Sequence, residues 1–146
     1  MAASVSMKFS GGAEIAQNLA LLQVKMRKKI MRGAAVGGAA VVKKRAKEIA
    51  KSKGIDDTGA TIRNIAGKVE KSTGEDYLQI NIGVRHGKPR RGAKNQDDPF
   101  YWRFHEFGTS KQAARPFIRP AFEESAERVL EVIGDRLRAG IEKFKE

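Results

Sequence analysis

Two histidines, two acidic pairs and a glycine cluster are the residues of this chain whose types and spacing can do chemistry. His105 stands beside Glu106, among Phe104 and Phe107. Histidine is the commonest general base, but a lone histidine among aromatics is more often a packing or hydrogen-bonding residue. No second histidine follows at the spacing of a zinc-protease helix. His86 lies in a basic stretch and reads as solvated. Asp56-Asp57 and Asp97-Asp98 are paired acids of the kind that hold magnesium, yet both sit in loop-like sequence, where turn and capping roles are commoner. Gly33, Gly37 and Gly38 do not make a phosphate loop, because no Gly-Lys-Ser/Thr follows them. The chain has no cysteine, which excludes disulfides, thiolate catalysis and cysteine-ligated zinc. No nucleophile has a base placed beside it. The expectation is a protein without catalytic residues, metal or cofactor; an unrecognised hydrolase built on His105 is the minor alternative.

The densest information lies elsewhere, in Glu106-Phe107-Gly108-Thr109-Ser110 followed by Ala114-Arg115-Pro116-Phe117-Ile118-Arg119-Pro120-Ala121-Phe122. Gly108 can take the positive φ of a sharp reversal. Pro116 and Pro120 push Arg115 and Arg119 toward extended geometry. Phe107, Phe117, Ile118 and Phe122 concentrate apolar area in a short span. The segment reads as a shaped peg, or more plainly as a turn and an ordered run leading into a helix, with Phe117 and Phe122 anchoring that helix on its own sheet. It resembles the signature of a tailed-bacteriophage family of head–tail joining, or tail-completion, proteins. That pattern runs as an aromatic, E-F-G-T, a spacer, A-R-P-F-x-R-P-A and a terminal helix, and Tyr101, Glu106 to Thr109 and Ala114 to Ala121 fill those places in order. The likeness extends from about Val5 to Phe144 and includes the Thr58-Gly59 pair. It departs at Gly54-Ile55-Asp56-Asp57, where the family often has a proline, and in its long basic loop. The resemblance implies a structural virion protein acting as a homo-oligomeric ring at the neck. Six or twelve copies suit that place. The implied partners are head–tail connector or adaptor proteins on one side and tail terminator or tail-tube proteins on the other.

These residues need elements to hold them. Val5, Met7 and Phe9 alternate with polar residues, the period of a short strand or arm over 1–12. Ile15, Leu19, Leu22, Met26 and Ile30 recur at three or four residues and start a helix over 13–52. Gly33, Gly37 and Gly38 in its middle suit close helix packing, including packing between subunits. Gly54 ends it. Asp56 or Asp57 can cap a short helix, and a hairpin follows, completing 56–84. Residues 85–99 form a basic loop. Residues 100–118 are the aromatic segment, whose first eight residues fit a helix or a strand equally. A helix over 119–145 opens at Arg119-Pro120, with Phe122, Val129, Ile133, Leu137 and Ile141 as its stripe. The fold class is α+β: a long N-terminal helix and a C-terminal helix packed on a small antiparallel sheet, with a long basic loop, in one domain of 146 residues.

The net charge is +12, unevenly placed. Residues 25–53 hold eleven Lys or Arg against one acid, Glu48. Arg85, Lys88, Arg90, Arg91 and Lys94 follow in the loop and are the candidates for touching DNA or an acidic partner. The last helix is mildly acidic, so neighbouring copies can attract side by side. Trp102 and Tyr101 are of the type that stacks on bases. A small non-specific nucleic-acid-binding protein is therefore the alternative reading. No run of eighteen apolar residues occurs, and residues 1–12 lack the apolar core of a secretion signal. A soluble protein made in the host bacterial cytoplasm, without membrane contact, is expected.

Overall fold

The apolar stripe that begins at Ile15 forms two helices, not the single one expected over 13–52. The computed structural model describes residues 12–55, 59–70, 79–85 and 101–144. Helix α1 spans Ala13–Ala20 and α2 spans Val24–Ser52. Between them Gln23 turns extended, at ψ 144°. The break re-aims α1 so that Ile15 and Leu19 join Ile30 and Ile141 in a buried cluster. Each such side chain contributes about 1.5–3 kcal/mol on burial, more than the few hydrogen bonds lost at the corner. Leu21, at that corner, is left exposed.

Helix α2 then runs unbroken through its glycines. It ends in a Schellman arrangement, in which the Ile55 N–H donates to Ala50 O at 3.2 Å and the Gly54 N–H to Lys51 O at 3.2 Å. Gly54 has φ 58°, the left-handed region that glycine tolerates, and Ile55 is buried just past it. Helix α3 spans Ala60–Asn64. Its N-cap is Gly59 at φ 75°, in place of the expected aspartate cap; residues 56–58 lie outside the described residues.

Strands β1 (Ile65–Val69) and β2 (Ile80–Val84) pair antiparallel, with Ile65 opposite Val84 and Gly67 opposite Ile82. Ile65, Ile82 and Val84 are buried with the α2 residues Val42, Ala46 and Ile49. Helix α4 covers Trp102–Phe107, so the aromatic segment begins as a helix. Helix α5, Ile118–Lys143, lies along α2 and supplies Ile118, Ala121, Phe122 and Val129 to the main core. The architecture is α+β, two long helices packed on a small antiparallel sheet. The expected N-terminal strand, the hairpin turn and the basic loop beyond Arg85 lie outside the described residues.

Candidate functional site

Helix α5 begins with a residue that cannot cap it. Its N-cap is Phe117, which has no acceptor in its side chain. The orphan N–H groups of a helix start need partners, and Glu106 supplies them from eleven to thirteen residues upstream. Its Oε2 accepts from the Phe117 N–H at 2.9 Å and the Ile118 N–H at 3.1 Å, and its Oε1 accepts from the Arg119 N–H at 3.0 Å. Pro120 has no N–H to satisfy. Glu106 is buried, and its charge faces the positive end of the helix. The two halves of the sequence signature are thus one interlocked unit: the glutamate of the first half caps the helix opened by the second.

The intervening turn is equally determined. Gly108 stops α4 at φ 74°. A Cβ there would lie 2.8 Å from Ala114 N. Thr109 closes the loop, its N–H donating to Gln112 O at 2.8 Å and its hydroxyl accepting from the Gln112 N–H at 3.0 Å. The chain then returns past α4, where the Arg115 N–H donates to His105 O at 2.6 Å. Lys53 fastens this return to the end of α2, its Nζ donating to Pro116 O at 2.7 Å.

His105 belongs to the same scaffold. Its Nδ1 lies 3.2 Å from Arg115 Nη2 and 3.4 Å from Gln112 Nε2. Tyr101 meets the ring edge-on, with centroids 6.0 Å apart. The imidazole thereby sits among the polar groups of the turn.

The peg is mostly turned inward. Phe117 and Ile118 are fully buried and Phe122 nearly so. Phe107 alone of its four apolar residues faces outward, 59% exposed, with Phe104 near it at 48%. Pro116 and Pro120 are half-buried, and Arg119 is exposed and pairs with Glu123 at 3.1 Å. Trp102 is 4% exposed, against Phe107 and beneath the Arg103 guanidinium, so it is closed to stacking on bases.

The glycines also correct their reading. A Cβ on Gly38 would meet Ile133 and Val129 of α5, and one on Gly37 would meet Arg136. Their close approach is to this chain's own last helix, leaving no room there for a second subunit. Gly33 has nothing within 4 Å of a Cβ and makes no close packing. The contrast between a basic α2 and an acidic α5 is likewise satisfied in part within the chain. Arg45 donates to Glu124 at 2.6 Å and to Glu48 at 3.1 Å, and those carboxylates hold its pKa above the ordinary value. Arg85 is exposed, its N–H donating to Asn64 O at 2.8 Å. Lys88, Arg90, Arg91 and Lys94 lie outside the described residues.

The outer face of the sheet forms a shallow depression of about 360 Å³ over Ala66 and Gly83, rimmed by Lys68, Glu70, Asn81 and Arg85. Its polar groups engage one another: Asn81 donates to Glu70 at 3.1 Å, and Lys68 lies 3.7 Å from the same carboxylate. Among the described residues no cluster of three His, Cys, Asp or Glu could hold a metal ion, and no helix is long and apolar enough to cross a membrane. Sequence reasoning missed the roles of Lys53 and Glu106. Neither has a local signal, since both act on partners far along the chain. No protein-family model, curated protein or solved structure matches this chain.

Proposed function

We propose that this chain is a structural virion protein of a tailed phage, a head–tail joining or tail-completion component that acts as an oligomeric ring at the neck between connector and tail. The observation that carries the reading is the interlocking of Glu106 to Thr109 with Ala114 to Ala121 through the Glu106 carboxylate. The residues of the family-like signature have a joint structural reason for their spacing, and that supports reading them as one motif. Exposed Phe104 and Phe107, with exposed Arg103 on the same short helix, supply the aromatic and arginine groups typical of binding hot spots. The chain works on this reading by fit and turns over no substrate.

The test is to block expression of the chain during infection by the phage that encodes it, then image the lysate. Filled heads separated from tails, with joined particles restored by the chain supplied in trans, are expected. Normal yields of joined particles without it would overturn the reading. Phe107→Ala is the informative point variant, because Phe107 is exposed and its loss leaves the core intact. The second reading, non-specific nucleic-acid binding, is favoured by the net charge of +12. It places contact in the loop, and replacing Arg90 and Arg91 would then abolish a duplex mobility shift.

A further inference from the structure

The two long helices treat their charges in opposite ways. On α5 three of the four arginines are neutralised along the helix itself, Arg119 by Glu123 at 3.1 Å, Arg128 by Glu131 at 2.9 Å and Arg138 by Asp135 at 3.6 Å, while Arg136 donates to Gly33 O of α2 at 3.4 Å. On α2 the only acid is Glu48, and it is taken by Arg45. Among its other bases, which also include Arg27, Lys28 and Lys43, are Lys25, Lys29 and Arg32 in the first half of α2 and Lys44, Lys47 and Lys51 in the second. All six are exposed, and none has an ion-pair partner among the described residues. With Val36 and Ala40 between the two groups, they follow one another at steps of three or four residues. That spacing puts them in a single row on one side of the helix. Helix α2 is 29 residues long, so the row extends about 40 Å at 1.5 Å per residue.

We propose that this row is a docking face for the backbone of duplex nucleic acid. Unpaired cations in a regular line match a polyanion of regular charge, which binds by releasing its counterions. Between Arg32 and Lys44 the helix advances about 18 Å, so the two triads form separate points of contact along the polyanion. Val36 and Ala40, between the triads, cannot hydrogen-bond to a base edge, so the row carries no hydrogen-bond readout of sequence. An acidic protein is the poorer match, because a protein interface needs aromatic or arginine anchors at its centre. The centre of this row holds Gly33, Val36 and Ala40, with no aromatic. The site is on α2, apart from the loop, and does not depend on the chain being a virion component.

The full chain is titrated with a labelled random-sequence DNA duplex across a salt series, alongside two folded variants checked by circular dichroism. One carries Lys25→Gln, Lys29→Gln and Arg32→Gln; the other carries Lys44→Gln, Lys47→Gln and Lys51→Gln. Each triple is expected to weaken binding at low salt at least about tenfold and to lower the slope of log K against log salt by about 2–3. Unchanged slopes in both triples, no duplex binding by the parent chain, or equally tight binding of polyglutamate would each overturn the proposal. The particle assay above can succeed or fail independently of this titration.

Discussion

Glu106 is the residue on which the local structure turns. Its carboxylate is buried and accepts three backbone N–H groups at the start of α5. Glu106→Ala leaves those donors without partners in a dry place and is expected to destabilise the fold by about 2–4 kcal/mol in urea unfolding. Glu106→Gln keeps one acceptor oxygen and should cost visibly less. Equal losses for the two would show that side-chain packing matters there and hydrogen bonding does not. Gly108→Ala must place a Cβ against Ala114 N at a positive φ, and a loss of about 2 kcal/mol is expected by the same measurement. Phe117→Ala empties a fully buried site and is expected to cost about 3–5 kcal/mol. Its effect on assembly therefore reports unfolding first, which is why exposed Phe107 is the better probe of docking.

At the scale of elements, the long helices were legible in the sequence, while the interruption of the first and the state of the aromatic segment that forms α4 were not. The stripe from Phe122 to Ile141 placed α5, and Gly54 placed the end of α2, because both signals are local. The break at Leu21–Gln23 has no such signal. The apolar period runs straight through it, and the corner forms because Ile15 and Leu19 find partners on α2 and α5. The cap on α5 was hidden for the same reason: Phe117 offers nothing to the helix, and its substitute lies on another element. Glycines marked a close approach without saying to what. Gly38 faces Ile133 and Val129, whereas Gly33 is open. Gly33→Ala should therefore raise stability by about 0.5–1 kcal/mol through helix propensity alone. Gly38→Val should lower it, because a branched side chain has no room beside α5. Thermal unfolding of the pair checks both signs, and a stabilised Gly38→Val would mean that α2 and α5 are not packed this closely.

For the whole molecule, charge is the property that local packing does not absorb. The core explains Phe117, Trp102, Gly37 and Gly38 without any partner, and outward-facing Phe104 and Phe107 and the cationic row on α2 are among the described surfaces free to act. A ring needs one surface of each copy to meet a different surface of the next, and a joint around DNA needs a face that tolerates any sequence. The most direct test is quantitative mass spectrometry of purified, tailed particles, counting this chain against the major capsid protein. A fixed ratio corresponding to six or twelve copies per particle is expected. Particles that are complete and infectious yet contain none of it would contradict the central claim.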